Sequence, residues 1–338
     1  MGQCVFENRL RTLIEKPVLS IVICTRNRAK SLGGIFNSLT HIESDYKWEA
    51  IFVDNASTDS TMQVFKDTGD YGGRFRYLHV DKVGLGAARD AGWRQAHGRI
   101  ISFTDDDCYL APDYVNKVLD VFSVHPEVGC VGGRILLYDP QDARMTIEER
   151  IVPFEIRPFH FVTSGELQGA NLSFRFDVLE RINGFDTDLG AGTKFPCEDI
   201  DIVASTLWAG FPARFEPGPV VFHHHGRKWT EVDKIVADYD RGRGAYYAKY
   251  ILRRDTRREY IINWWRRAHA FYYLSTLRRL FREFNSAAAY FAHRKRYDAL
   301  LMALPIWLVT YGAITLIVGM RILLGKRVKT SWKASEVK

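Results

Sequence analysis

The sequence predicts an α/β protein: a mostly parallel sheet flanked by helices, followed by C-terminal membrane-associated helices. Three observations carry this. Short β-branched runs of strand length alternate with amphipathic stretches of helix length through residues 1–240. Polar clusters fall directly after the apolar runs. The C-terminal part is basic and aromatic and holds a long apolar segment; residues 241–338 carry 21 Lys and Arg against 5 Asp and Glu, whereas residues 1–240 carry 26 against 35. With 338 residues, 46% hydrophobic and 26% charged, the chain can build an ordinary core, which excludes the disordered, collagen-like and coiled-coil classes. Five cysteines without CxxC spacing argue against a disulfide framework or a zinc site and for a reducing compartment. Arg9 and Arg11 lead into no apolar stretch of signal-peptide length, and Phe6 spoils a myristoylation reading of Met1-Gly2.

Taken in order, Val18–Cys24 is a β-branched strand that stops at Thr25-Arg26-Asn27-Arg28. Ser31 is placed to cap a helix whose apolar positions are Leu32, Ile35, Phe36 and Leu39. A second strand, Ala50–Val53, ends in Asp54-Asn55-Ala56-Ser57; a third lies near Phe75–Leu78, and Gly84-Leu85-Gly86 opens a helix to about Ala96. Ile100–Phe103 is a fourth strand, ending in Asp105-Asp106-Asp107. In such sheets ligands bind beyond the carboxyl ends of the strands, so Thr25, Asp54 and the aspartate triplet belong to one edge.

From Tyr246 to Arg296 aromatics interleave with arginines, among them Tyr247, Tyr250, Trp264, Trp265, Tyr272, Arg266, Arg279 and Arg282. Ala299–Met320 then runs 22 residues without a charge. At ~1.5 Å per residue this is about 33 Å of helix, enough to cross a hydrocarbon core, with Trp307 and Tyr311 suited to an interface. A buried core helix is the plainer alternative. Basic flanks on both sides, Arg294-Lys295-Arg296 and Lys326-Arg327, leave a full span and a re-entrant or in-plane helix both open. Arginine–aromatic interleaving also serves nucleic-acid binding, but its place before an apolar helix points to anionic lipid headgroups instead.

Three carboxylates at a strand end repel one another unless a cation neutralises them, and oxygen donors of this kind suit Mg²⁺ or Mn²⁺. A solvated acidic turn, with Asp113 capping the next helix, is the alternative. Glu198-Asp199-Ile200-Asp201 opens another helix, either as charge bias at a helix start or as a general base facing the strand ends. Gly169-Ala170-Asn171 offers close backbone approach beside a polar side chain. In His223-His224-His225, alternation places His223 and His225 on one face, to ligate a metal, contact a diphosphate or simply pack.

The order of these motifs, with Asn183-Gly184-Phe185-Asp186 between them, resembles family 2 glycosyltransferases over residues 17–226. The resemblance implies a GT-A fold in residues 17–235, after an extension (1–16); beyond it, composition and hydropathy alone predict basic aromatic interfacial helices (236–298), a transmembrane or re-entrant helix (299–325) and a basic tail (326–338). It implies that Thr25, Arg26 and Asp54 line the nucleotide base, that Arg89 stands near the ribose or diphosphate, and that Asp106 lies near the ribose. Asp105 and Asp107 would hold the metal, with His223 and His225 as further ligands. Gly169 and Asn171 would approach the donor sugar, and Glu198-Asp199 would supply the catalytic base, Asp199. The expected activity is inverting transfer from a nucleotide sugar, a UDP-sugar favoured, to a lipid-linked or membrane-held acceptor on the cytoplasmic face, without nucleic acid. A sugar nucleotidyltransferase and a non-catalytic membrane scaffold are the competing readings. The Gln-x-x-Arg-Trp signature of processive relatives is absent, which favours single transfer.

Overall fold

The computed structural model describes residues 16–269 and 274–324. The expected N-terminal extension, the basic tail with Lys326-Arg327, and Tyr272 lie outside the described residues. The rest forms two compact units: the first ends at Lys228 and excludes Lys194–Cys197, which join Trp229 and the residues beyond it in the second.

The first unit is built on nine strands: β1 (Leu19–Thr25), β2 (Trp48–Asp54), β3 (Phe75–His79), β4 (Ile100–Asp105), β5 (Cys108–Leu110), β6 (Cys130–Leu137), β7 (Phe154–Ile156), β8 (Asn171–Arg175) and β9 (Ala213–His223). Its helices are α1 (Leu32–Thr40), α2 (Thr61–Thr68), α3 (Leu85–Arg94), α4 (Tyr114–Val124), α5 (Phe176–Ile182) and α6 (Glu198–Trp208). The sheet order is β3-β2-β1-β4-β8-β6-β9-β5, with β7 also on β9. Pairing is parallel from β3 through β4 and between β6 and β9, while β8, β5 and β7 run antiparallel to their neighbours.

Every residue of β1 and β2 is buried, because helices cover both faces of a parallel sheet and no polar face is needed. Leu19, Ile21 and Ile23 share a core with Leu32, Ile35, Phe36 and Leu39 of α1 and with Val115, Val118 and Phe122 of α4. Phe36 stacks on Phe52 at 4.4 Å between ring centres. Two expected caps differ. The Ser31 hydroxyl donates to the Arg28 carbonyl at 3.2 Å instead of accepting from the helix, and Asp113 makes no side-chain cap bond. Both residues have near-helical backbone angles, which turn their side chains away from the first N–H groups.

The second unit contains α7 (Val232–Leu252), α8 (Arg257–His269), α9 (Leu274–His293) and α10 (Tyr297–Leu323). Much of the aromatic and basic material expected at a lipid surface packs inside it. Tyr246, Tyr247, Tyr250 and Tyr260 are buried, and the Tyr246 and Tyr260 hydroxyls meet at 2.7 Å. Arg282 pairs with buried Asp240 at 3.0 Å, Arg243 with buried Glu283 at 3.0 Å, and the Trp264 indole donates to Glu283 at 2.9 Å. The reason is mutual cover: three aromatic-rich helices bury each other's rings, and the two internal acids draw arginines inward. Trp265 stays 54% exposed. Tyr297–Met320 forms a helix long and apolar enough, by length and composition, to cross a membrane: its most apolar 18-residue window has a mean hydropathy of 2.1 and is 11% buried.

Candidate functional site

The site grows from strand register. Thr25 of β1 pairs with Asp54 of β2, and Cys24 with Asp105 of β4, so three strands end at one level. The Thr25 hydroxyl donates to Asp106 at 2.6 Å. Asp54 is 2% exposed and accepts from the Ser57 N–H at 2.9 Å and the Tyr77 hydroxyl at 2.5 Å. Burial works to raise its pKa, but bonds from Ser57 and Tyr77 and the nearby His79 outweigh this and hold the carboxyl below its usual range. Arg26 is exposed on the loop that follows β1.

Immediately after the aspartate turn, β5 folds back onto the end of β9 and sets Cys108 opposite His223. This brings His223 Nε2 to 3.3 Å from Asp107, and the His224 N–H donates to the Asp107 carbonyl at 2.8 Å. Burial raises the Asp107 pKa, yet the bond and charge of His223, with Arg28, pull it below its ordinary value. His223 moves the other way: burial lowers its pKa, and Asp107 raises it further. Asp106 is pushed up to about 7 by burial, against the pull of Thr25 and Arg28. The donor atoms of Asp105, Asp107, Cys108 and His223 all lie within 4.8 Å of one another. Two carboxylates and an imidazole converging at one turn fit a divalent cation. Cys108, the residue directly after the triplet, was missed in sequence, where adjacency to Asp107 was its one signal.

His225 falls outside that group. Its ring stands perpendicular to His223 at 5.0 Å, as strand alternation predicts, but its Nδ1 accepts from the Arg227 N–H at 3.0 Å and lies 3.7 Å from buried Asp142. Burial and the charge of His223 lower its pKa. This is a packed histidine of the loop after β9.

Arg89 also differs from expectation. It is 2% exposed, and its guanidinium donates to Asp105 at 2.9 Å, to the Gly169 carbonyl at 3.0 Å and to Glu198 at 3.3 Å. A cation so placed is enclosed and held by two carboxylates. Glu198, at the start of α6, is driven up to about 7 by burial, with Arg89 opposing and Asp199 assisting. Asp199 is half-buried; it accepts from the Gly169 N–H at 3.3 Å and from the Ile200 N–H at 2.7 Å. Gly169 thus bonds Arg89 with its carbonyl and Asp199 with its amide. A Cβ there would sit 2.7 Å from the Arg89 guanidinium and 3.0 Å from the Asp199 Cβ, so only glycine fits.

Asn171 is enclosed as well. It is 1% exposed; its amide donates to the carbonyls of Arg134 at 2.9 Å and Pro219 at 3.2 Å, and its oxygen accepts from Tyr114 at 2.9 Å. Those bonds stitch β8 to β6 and β9 where the β6–β9 register shifts. The structure also brings up Arg28, 3.2 Å from Asp107 and 3.7 Å from Asp106.

Comparison with known proteins bears on this edge. The model of the family "Glycosyl transferase family 2" matches residues 20–182. The chain is 25% identical to glycosyltransferase AglE of Haloferax volcanii over 253 residues, 74% of this chain and 80% of AglE. It is 24% identical to the glucosyl-dolichyl phosphate glucuronosyltransferase of the same organism, over 51% of this chain and 57% of that one. A shorter match, 29% identical, joins it to EpsH of Bacillus subtilis over 31% of this chain and 30% of EpsH. The chain therefore covers less than two thirds of these last two relatives. Among solved structures, the mannosyltransferase PcManGT from Pyrobaculum calidifontis in complex with GDP-Man and Mn²⁺ superimposes with a TM-score of 0.55 at 18% identity, over 96% of this chain and 95% of that one. S. aureus TarS 1–349 in complex with UDP-GlcNAc gives 0.59 at 15% identity, over 92% and 93%. These likenesses show a shared fold, the GT-A architecture, and the glycosyl transferase family 2 model matches a continuous stretch of just under half of the chain.

Proposed function

We propose that the chain transfers a sugar from a nucleotide-sugar donor, a UDP-sugar favoured, to a lipid-linked or membrane-held acceptor, with inversion at the anomeric carbon. The observation that carries this is the gathering at one sheet edge of Thr25, Asp54, the aspartate turn with His223, and Asp199. Structural relatives crystallised with GDP-Man and UDP-GlcNAc support a nucleotide-sugar donor, and a relative acting on a dolichyl phosphate supports a lipid-linked acceptor.

Asp54, kept ionised, accepts the base N3–H. Asp199, more open than buried Glu198, takes the proton of the acceptor hydroxyl as that oxygen forms its bond to the anomeric carbon and the bond to the diphosphate oxygen breaks. One in-line displacement needs no covalent enzyme intermediate. Glu198 acts through Arg89, holding the floor on which Asp105 and Asp199 stand. Asp105, Asp107 and His223 would hold Mg²⁺ or Mn²⁺, and such an ion would offset the charge of the departing diphosphate.

Residues 17–235 serve as the transferase domain, 236–298 as interfacial helices and 299–325 as the membrane anchor. Buried Cys24, Cys108 and Cys130, none of them in a disulfide, suit the cytoplasmic face. The test is binding of UDP, GDP, dTDP and CMP to detergent-purified protein with and without Mn²⁺, alongside Asp107→Asn. Metal-dependent binding of one nucleotide, lost in the variant, is expected; binding of none by folded protein overturns the reading.

A further inference from the structure

Two arginines serve the aspartate turn, and they are mounted differently. Arg89 is enclosed and bonded to two carboxylates and a carbonyl. Arg28 reaches the same turn from the loop after β1, with its side chain 44% exposed and its guanidinium 3.2 Å from Asp107 and 3.7 Å from Asp106.

The backbone that carries Arg28 is pinned. Its own N–H donates to Thr61 at 3.2 Å, the Asn27 N–H to Ser57 at 2.9 Å, and the Ala29 N–H to Asp59 at 3.1 Å. Asn27, in the left-handed region at φ 55°, accepts in turn from the Thr58 N–H at 2.7 Å. A fixed base under a long, half-open side chain allows the guanidinium to change partners while the loop stays still.

Asp107 cannot keep both this guanidinium and a divalent cation at full strength, because the two positive charges would share one carboxylate and repel. A diphosphate offers the released guanidinium a better match: several negative oxygens in the planar, two-pronged geometry that arginine binds. We propose that Arg28 is an exchangeable internal counter-ion, resting on Asp107 and Asp106 in the metal-free site and passing to the donor's diphosphate when Asp107 takes up a divalent cation. The proposal rests on the nucleotide-sugar reading above. It gives the diphosphate contact to Arg28 in place of the buried Arg89.

Two calorimetric titrations of the detergent-purified full chain test it: Mn²⁺ alone, and then UDP or GDP (whichever the wild type binds) at saturating Mn²⁺. In Arg28→Gln, loss of the internal competitor tightens Mn²⁺ binding several-fold, while nucleotide binding weakens roughly ten- to hundredfold, the scale of one charge-assisted contact. Arg28→Lys keeps the charge and loses the fork, so its Mn²⁺ affinity stays near wild type and its nucleotide affinity falls between the other two. Circular dichroism and thermal melting confirm that the variants fold. Opposite-signed changes in Arg28→Gln are the expected result. Unchanged or weakened Mn²⁺ binding, or unchanged nucleotide binding, in Arg28→Gln overturns the exchange while the glycosyltransferase reading stands. A folded wild type that binds no nucleotide overturns that reading and this inference with it.

Discussion

Arg89 and Glu198 meet at 3.3 Å beneath the site, and the same guanidinium holds Asp105 at 2.9 Å. The strand end that carries the aspartates and the helix start that carries Glu198-Asp199 are thus joined through one buried cation. Removing it leaves Asp105 and Glu198 facing each other without a counter-ion. Arg89→Ala should cost about 3–5 kcal/mol, read as a lowered urea midpoint, because a broken buried pair leaves uncompensated charge. Restoring most of the loss with Glu198→Gln in the same chain would locate the cost at that pair.

Asp199→Asn should reduce turnover by about 10²–10⁴-fold and leave Mn²⁺-dependent nucleotide binding intact, as expected for loss of a general base. Retained turnover in this variant, measured by release of nucleoside diphosphate, would remove Asp199 from the proposed role.

Gly169→Ala forces a methyl group against Arg89 and Asp199 together. Overpacking of this kind costs about 1–3 kcal/mol. Turnover should fall more than nucleotide binding, since the Asp199 carboxylate is the group displaced. Equal losses in both would contradict that.

At the opposite end of the strands, Glu49 is 5% exposed and accepts from Ser20 at 2.7 Å, the His97 N–H at 2.8 Å and Arg76 at 2.9 Å. Burial raises its pKa, but these bonds prevail and the folded value lies below the ordinary 4.5. Its contribution to stability is therefore complete above 4.5 and is lost as pH falls through the depressed folded value. Chemical denaturation between pH 6 and pH 3 should show Glu49→Gln destabilised at the upper end and converging on wild type at the lower.

The apolar helix α10 exposes Leu301, Val309 and Leu316 by more than 60% each. The full chain should float with anionic lipid vesicles on a density gradient. Val309→Lys with Leu316→Lys, at about 2.5–3.5 kcal/mol per charge in a bilayer centre, should leave it at the bottom.

Much of this site could be read from the sequence alone. Strand–helix periodicity placed Thr25, Asp54 and the aspartate turn on one edge, because a parallel sheet aligns all its carboxyl ends. The charge-free run from Ala299 to Met320 needed only hydropathy and length to stand out. Tertiary structure decided which side chains stay open at that edge. Arg28 and Arg89 are equally basic in sequence; only the packing of α3 against Gly169 and Glu198 shows that one is enclosed and the other half-open. Cys108 and His223 became neighbours through the antiparallel pairing of β5 with β9, a contact between distant segments that no local pattern encodes. Asn171 was spent on internal hydrogen bonds for a similar reason: a buried polar group must find partners, and those partners came from elements remote in the chain.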